Sequence, residues 1–431
     1  MSGLSSESSG GGTGGGSSVD RGENSREKKL SICLIGAHFQ IMSRASDTGF
    51  LWPIAKGLAI RGHQVTVISS RSPIGKAEVV RDGVRILFLL EGLPKTVRVP
   101  FENLVFEAFH KLTKEKPFDI VHSLDRSGRL VGQHKSTHRH KMAYDVEATE
   151  LAQLFSILGM GQETAGSFVT NGFALLYKYV TTYFGGDRRI LNSADGIFVT
   201  SPRQRVALER YYLYPEMKTY LVPYGAEVTD LKPREQTLEL KRSLRLPENS
   251  HVVVSISDMN ELPPALNLLT AFERLAVKKP NAFLVLIGNG PKFKEIEYQV
   301  LNLALGSRVI MTGPVKEQEI VDYLLLGEVF VELDSKSSGF DTPMIEAMAQ
   351  KRLIIGSEVS PISYIIEDGL DGFLIRPADT LSLSHLMIEI FSGTIKAAEI
   401  GERARQKVVG MFEVQKMVEA IETAYLDIVG R

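Results

Sequence analysis

The sequence predicts an α/β protein with two domains, each built on a doubly wound parallel sheet. Near its start, the apolar run LSICLIGAHF is followed by a helical segment and then by GHQVTVISS, the strand, helix, strand order of a parallel unit. A second strand-like run, NAFLVLIGNGP, lies far downstream at 281–291. With 431 residues, 43% of them apolar, the chain can form two cores. We expect two domains of roughly 150 to 200 residues each.

Composition excludes several classes of protein. The formal net charge of -1 gives no support to a nucleic-acid binder. The single cysteine, Cys33, lies in an apolar run, which rules out a disulfide framework and indicates a buried thiol in a reducing compartment. The chain has no run of 18 apolar residues and no apolar signal-peptide core near its start, so we expect a cytoplasmic protein.

Changes in composition place the domain boundaries. Residues 1–29 are rich in Gly and Ser and then charged, so they are expected to form a disordered tail. The run GGGTGGG in this tail is not a phosphate loop, because no strand precedes it and no helix follows it. The charged run REQTLELKRSL places the next boundary near residue 230, which gives a first domain at 30–229 and a second at 230–405, followed by a helix at 406–431.

The first domain begins with a strand that ends at Gly36. The next helix is predicted at about 47–61, and further strands are expected at VRILFLL, FDIVHSL and ADGIFVT. The loop after Gly36 lies at the carboxyl end of the first strand, where open parallel sheets bind ligands. Arg44 in this loop is either a ligand-binding cation or a solvated arginine.

Two further stretches of the first domain allow more than one interpretation. The basic run at residues 125–145 has three interpretations: a zinc site, a basic rim that attracts anionic ligands, or a solvated helix and linker. No cysteine or acidic ligand lies near its histidines, so no metal site is predicted. The aromatic segment at 167–186 fits core packing or a peripheral contact with the inner face of a membrane. The histidines and cations of the basic run are Arg126, Arg129, His134, Lys135, His138, Arg139, His140 and Lys141.

The second domain is organised around residues 337–350, SSGFDTPMIEAMAQ. Thr342 is the expected N-cap of a helix, Pro343 fits its first turn, and Glu346 follows in that turn. Loop amides and the helix dipole then direct positive potential toward a diphosphate or a sugar hydroxyl. The alternative is that this loop and helix are plain architecture.

The segments around this stretch resemble a known family. SRVIMTGPV and EQEIVDYLLLGEVFVEL precede it, and RLIIGSEVSPISYIIEDGLDGFLIRPAD follows it. This order is similar to the second domain of the GT-B retaining glycosyltransferases of group 1, family 4-like, and the resemblance covers nearly everything after Ser31. It implies metal-independent, retaining transfer of a hexose from a nucleotide-sugar donor to a cellular or envelope acceptor, without a cofactor. It also implies that the last helix crosses back to the first domain.

The resemblance assigns roles to individual residues. Glu346 matches the second of two family glutamates and is expected to hold the donor ribose, whereas the first glutamate, which contacts the donor sugar, falls on Ser338. Glu147 falls where many members have a catalytic-site histidine, and a carboxylate cannot donate a proton as an imidazolium does. Arg44 is the candidate cation of the first domain. The donor-binding residues implied are Gly36, Gly288, Gly339, Phe340, Asp341, Thr342 and Glu346.

Two departures from the family pattern concern the donor diphosphate. The family arginine and lysine that neutralise it fall on Asp258 and Pro263, which removes two charge-assisted hydrogen bonds of about 1.5 to 3 kcal/mol each. Lys336, Lys292 or Arg44 would have to substitute for them. Two hypotheses therefore remain: an active glycosyltransferase, or a catalytically degenerate relative that acts as a binding or scaffolding module.

Overall fold

The structure of the protein is a computed structural model. It describes residues 29–37, 51–72, 75–91, 100–146, 149, 177, 186–223, 225, 228, 235–333, 342–359 and 362–431. These residues form two α/β units, each on its own sheet, which confirms the predicted fold class.

The first sheet has eight strands in the order β3-β4-β2-β1-β5-β6-β7-β8. Every adjacent pair is parallel except β3 and β4. The chain extends the sheet in one direction from β1 to β2 and in the other from β5 onward, so the strand order reverses between β1 and β5. The strands are β1 Ser31–Ile35, β2 Gln64–Ser69, β3 Glu78–Arg81, β4 Val84–Phe88, β5 Ile120–Ser123, β6 Lys141–Asp145, β7 Gly196–Val199 and β8 Thr219–Leu221.

Helices pack on both faces of this sheet, and the strands are buried between them. Cys33 packs with α2 on one face, whereas Leu34 packs with α1 on the other. The start of α6 is fixed by a capping box, in which the Ser201 hydroxyl and the Gln204 side chain each bind the other's backbone N–H. The described helices are α1 Leu51–Ile60, α2 Phe101–Glu115, α3 Arg129–Gln133, α4 Lys135–His138, α5 Arg188–Ser193 and α6 Pro202–Tyr212.

The sequence analysis did not predict the β3–β4 hairpin. Its two strands are joined by Asp82 and Gly83, whose φ angles of 49° and 80° are both positive. A two-residue Asp-Gly connection between strands is the composition that such a turn requires. The sequence therefore contained a signal for this hairpin.

The second sheet has six parallel strands in the order β11-β10-β9-β12-β13-β14. Its strand order reverses between β9 and β12. The strands are β9 His251–Ile256, β10 Ala282–Ile287, β11 Val309–Gly313, β12 Val329–Glu332, β13 Leu353–Ser357 and β14 Phe373–Ile375. The helices are α7 Glu235–Ser243, α8 Pro263–Lys278, α9 Phe293–Asn302, α10 Glu317–Leu326, α11 Thr342–Ala349, α12 Ile362–Ile365, α13 Thr380–Phe391 and α14 Ala397–Met411.

The last helix, α15 Val414–Gly430, packs on the first unit, whereas α14 before it packs on α11 and β13 of the second. The contact between α15 and α1 is close, because a Cβ at Gly57 would lie 2.6 Å from a methyl group of Val418. One hydrophobic cluster contains residues of both sheets together with α14 and α15. No helix among the described residues is long and apolar enough to cross a membrane.

Candidate functional site

The candidate site consists of two sheet edges, which we define by their residues. The first-sheet edge follows β1, β5 and β6 and contains Gly36–Ala37, Leu124–Asp125 and Asp145. The second-sheet edge contains 257–262 after β9, Leu333 after β12 and the start of α11. Each edge lies at the carboxyl end of parallel strands and includes the point at which the strand order reverses, where open α/β sheets bind their ligands.

Hydrogen bonds fix Gly36 and Ala37, the described residues that directly follow β1. The Gly36 N–H donates to the carbonyl of Ile68 at 3.1 Å, and the Ala37 N–H donates to Asp125 Oδ2 at 2.6 Å. The hydroxyl of Ser70 donates to the Ala37 carbonyl. The structure therefore places Gly36 at the first-sheet edge, next to the loop that follows β5.

Three hydrogen-bonded polar side chains are buried at this edge, and they were not predicted from the sequence. His122 Nδ1 lies 2.7 Å from the Tyr425 hydroxyl, and His122 Nε2 lies 3.2 Å from Asp145 Oδ1. The three residues are at most 5% exposed. Burial raises the pKa of the Tyr425 hydroxyl well above its ordinary value, so this group stays protonated. The histidine inside the apolar run FDIVHSL was the available signal.

Glu346 lies in α11, which begins at Thr342, one residue earlier than the predicted N-cap at Thr342 implies. Glu346 is 4% exposed, and Pro343 in the first turn is also buried. A carboxyl group buried at this depth needs polar partners. The structure therefore places Glu346 in the helix that follows the reversal point of the second sheet.

The two glycines of the GNGP turn press against the loop that follows β9. A Cβ at Gly288 would lie 1.8 Å from the carbonyl oxygen of Ser257, and one at Gly290 would lie 2.0 Å from that of Asp258. Gly288 also has a φ of 128°, which other residues rarely adopt. This packing accounts for both glycines without a ligand, and it forms part of the second-sheet edge.

The carboxylate of Asp258 is engaged within its own loop. The Asn260 backbone N–H donates to Asp258 Oδ1 at 3.0 Å, and the Asn260 amide donates to Oδ2. Lys292, a candidate substitute cation, forms a 2.7 Å ion pair with Glu295. The loop 257–262 is described in full and contains two acids and no cation. The expected diphosphate position therefore has no positive side chain from this loop.

The start of α8 is also a poor anion site. Pro263 and Pro264 occupy its first two positions and have no backbone N–H, so they remove two of the donors that a helix N-terminus normally offers. Both prolines line an apolar pocket of ≈ 90 Å³ together with Leu333 and Ile375. Pro263 therefore forms part of a hydrophobic wall at a position where the sequence resemblance implies a lysine.

Acidic partners neutralise much of the basic run at 125–145. Arg129 makes two hydrogen bonds to the Glu102 carboxylate, Lys135 pairs with Asp195 at 2.7 Å, and Arg126 pairs with the buried Asp187 at 2.6 Å. Burial lowers the pKa of His138, and nearby His110 and His134 lower it further. Burial, with a smaller effect of His138, lowers the pKa of His140 to about 4. At neutral pH this surface is therefore less positive than its sequence indicates.

Several predicted site residues lie outside the described residues: Arg44, Glu147, Ser338, Gly339, Phe340 and Asp341. The tail at 1–28, the aromatic segment apart from Tyr177 and Gly186, and Lys336 also lie outside them. Among the residues that the structure describes, no group of three or more His, Cys, Asp or Glu side chains is arranged to hold a metal ion.

Two family models match the chain. The model "Glycosyl transferases group 1" matches residues 236–407 and so covers the second sheet. The model "Glycosyl transferase 4-like domain" matches residues 50–225, which contain most of the first sheet.

Individual relatives match over most of the chain. The chain is 26% identical to N-acetyl-alpha-D-glucosaminyl L-malate synthase of Bacillus anthracis over 374 residues, which is 82% of this chain and 92% of that protein. It is 22% identical to UDP-Gal:alpha-D-GlcNAc-diphosphoundecaprenol alpha-1,3-galactosyltransferase of Escherichia coli, over 75% of this chain and 79% of that protein.

Solved structures share the same fold. The sucrose-phosphate synthase of Thermosynechococcus elongatus matches with a TM-score of 0.75 and 20% identity, over 93% of this chain and 100% of that one. Anabaena Alr3699/HepE in complex with UDP-glucose matches with a TM-score of 0.68 and 16% identity, over 91% of this chain and 99% of that one.

Proposed function

Because the chain belongs to the group 1 glycosyl transferases and has their GT-B fold, we propose that it transfers a hexose from a nucleotide-sugar donor to a cellular or envelope acceptor. The placement of Glu346, a buried carboxyl group in the helix after the reversal point of the second sheet, is the observation that carries the proposal. Its role is to accept hydrogen bonds from the donor ribose.

The donor lies along the second-sheet edge in this proposal. In this assignment the N-terminus of α11 directs its positive potential toward the phosphates, and the backbone of 339–341 is assigned to the sugar. UDP-hexoses are the first donors to test, since one relative is named for UDP-Gal and one neighbour was solved with UDP-glucose. Because the loop 257–262 contains no cation and α8 begins with two prolines, we expect less of the donor's binding energy to come from its diphosphate than from its ribose and base.

The acceptor approaches from the first-sheet edge, where Gly36 and Glu147 contribute. The reaction proceeds with retention at the anomeric carbon and needs neither a metal ion nor a cofactor. In the absence of an imidazolium at position 147, the sugar's developing positive charge is stabilised by the Glu147 carboxylate.

A calorimetric screen of UDP-, GDP- and ADP-hexoses tests donor binding. Binding of one donor should be followed by its turnover, with an α-linked product from an α-linked donor seen by NMR, at a rate that EDTA leaves unchanged. A bound donor with an inverted product would overturn retention, and loss of activity in EDTA would overturn metal independence. If no nucleotide binds, the second-sheet edge is not a donor site and a scaffolding role replaces the transferase.

We propose further that the protein contacts membranes peripherally, at an anionic surface. Leu213 and Met217 are 81% and 72% exposed; Arg210 lies three residues before Leu213, and Lys218 directly follows Met217. Exposed apolar side chains flanked by cations suit a bilayer with anionic lipids. Co-sedimentation with phosphatidylglycerol vesicles should fall for Leu213→Ser combined with Met217→Ser, and wild-type protein that stays in the supernatant would refute the contact.

A further inference from the structure

Tyr425, His122 and Asp145 connect the last helix of the chain to the first-sheet edge. Tyr425 is on α15, His122 is on β5, and Asp145 is the last residue of β6. Tyr425 and His122 are 303 positions apart in sequence, and their polar atoms lie 2.7 Å apart. Neither the donor site nor the family assignment explains why a histidine, an aspartate and a tyrosine are buried together here.

The tautomer of His122 gives this series of hydrogen bonds a direction. In the tautomer that carries its proton on Nε2, His122 donates to the Asp145 carboxylate across 3.2 Å. Nδ1 is then the acceptor, and the hydroxyl of Tyr425 donates to it across 2.7 Å. Each of the three residues therefore fixes the orientation of the next.

The surroundings of these three hydrogen-bonded side chains exclude water. The Phe198 ring stacks on His122 with centroids 4.7 Å apart, and the Tyr425 ring meets His122 edge-on at 5.7 Å. His122 is 1% exposed and Tyr425 is fully buried. Hydrogen bonds in such surroundings are stronger than in water, and losing one leaves a buried polar group without its partner.

We propose that Tyr425, His122 and Asp145 form a positioning relay through which α15 holds the carboxyl end of β6 at the first-sheet edge. Asp145 lies two residues before Glu147, the position that the proposed function assigns to catalysis. The orientation of Asp145 therefore sets where the polypeptide leaves β6. Neighbouring contacts hold the same edge, because Asp125, three residues after His122, accepts the Ala37 N–H at 2.6 Å. The catalytic part of this inference rests on the proposed function, whereas the relay itself does not.

The relay predicts coupling between residues on different elements. Tyr425→Phe removes one hydroxyl and keeps the ring, and Asp145→Asn removes the charge and keeps an acceptor oxygen. Each variant should lower the protection of amides 141–146 from hydrogen exchange by about tenfold. The double variant should lower this protection little further, because both changes interrupt the same series of hydrogen bonds. Tyr220→Phe is the matched control. The Tyr220 hydroxyl donates to Asp427, which lies on α15 like Tyr425, at 2.6 Å, and it forms no hydrogen bond with His122.

The tautomer of His122 is a second readout, which a purely structural role of α15 would not change. In protein labelled with ¹⁵N-histidine, the wild-type His122 ring should show a protonated Nε2 and an unprotonated, hydrogen-bonded Nδ1. Tyr425→Phe should shift the Nδ1 resonance, and Tyr220→Phe should leave it in place. Unchanged Nδ1 resonance and unchanged exchange at 141–146 in Tyr425→Phe would overturn the relay, as would fully additive effects in the double variant.

Turnover then separates the relay from the proposed function. With the donor found by calorimetry, Tyr425→Phe should lower kcat by about tenfold through misplacement of the first-sheet edge and leave donor affinity within about twofold of wild type. A kcat equal to that of wild type overturns the catalytic part of the inference even where the exchange effect is present. If wild type binds no nucleotide, the proposed function fails, and the exchange and NMR results decide the relay by themselves.

Discussion

Replacing Gly288 with alanine tests how the second-sheet edge is assembled. The new Cβ would lie 1.8 Å from the carbonyl oxygen of Ser257, whereas real Cβ atoms essentially never come closer than 3.0 Å, so the two loops must separate by about 1.2 Å (3.0 − 1.8). The φ of 128° adds backbone strain of about 1 to 3 kcal/mol. Together we expect Gly288→Ala to lower the free energy of unfolding by about 3 to 5 kcal/mol.

Gly393→Ala is the matched control, because Gly393 also has a positive φ, 74°, but nothing lies within 4 Å of the Cβ position. Its expected cost is the strain alone, about 1 to 2 kcal/mol. Urea unfolding followed by far-UV circular dichroism measures both variants, and calorimetry measures their nucleotide binding. Only Gly288→Ala should weaken binding, because it displaces the loop 257–262. Equal stability losses in the two variants would refute the close packing of the loops.

Two further predictions concern charge. Burial is the largest single effect on the pKa of Glu422 and raises it. The interactions with His63 and Arg61, which both donate hydrogen bonds to this carboxylate, together lower the pKa by more than burial raises it. A depressed carboxyl pKa stabilises the fold above the ordinary value of 4.5, and this contribution is lost as pH falls. Glu422→Gln should therefore lower the melting temperature at pH 7 and have a smaller effect below pH 4.5, with the exposed Glu419→Gln as control; an equal loss at both pH values would contradict this. Combining Asp258→Arg with Pro263→Lys should increase affinity for a nucleoside diphosphate at least about tenfold and leave that for the nucleoside almost unchanged. Calorimetry that shows no gain for the diphosphate would mean that these positions do not face it.

The apolar runs of the sequence were sufficient to predict the fold, because parallel strands buried on both faces are nearly continuous in Val, Ile and Leu. LSICLIGAHF and NAFLVLIGNGP both became central strands, β1 and β10. The β3–β4 hairpin was missed because β3 is short, mostly exposed and shows no such run, whereas β4 is buried at alternate positions and was predicted from VRILFLL. The hairpin's Asp-Gly turn was the stronger signal.

The candidate site was only partly predictable, because its contacts join residues far apart in the chain. The His122–Tyr425 contact spans 303 positions, and Arg126 is paired with Asp187 61 positions away. Local sequence shows a histidine or a basic run but not the partner that orients or neutralises it. Asp258 illustrates the same limit. Its carboxylate accepts a hydrogen bond from Asn260 in its own loop, so it repels a phosphate less than the sequence alone leads one to expect.

The central claim is that the second-sheet edge binds the donor nucleotide through Glu346. Isothermal titration of wild type, Glu346→Gln and Glu346→Ala with the best UDP-hexose tests it most directly, with Glu297→Ala, partly exposed on α9, as control. We predict one site in wild type and unchanged affinity in the control. Affinity should weaken by about 1 to 3 kcal/mol in Glu346→Ala, which is about five- to 150-fold, because the ribose hydroxyls lose their acceptor, and it should weaken less in Glu346→Gln, which keeps one acceptor oxygen. Circular dichroism verifies that the variants are folded. A folded Glu346→Ala protein that binds the donor as tightly as wild type would contradict the claim.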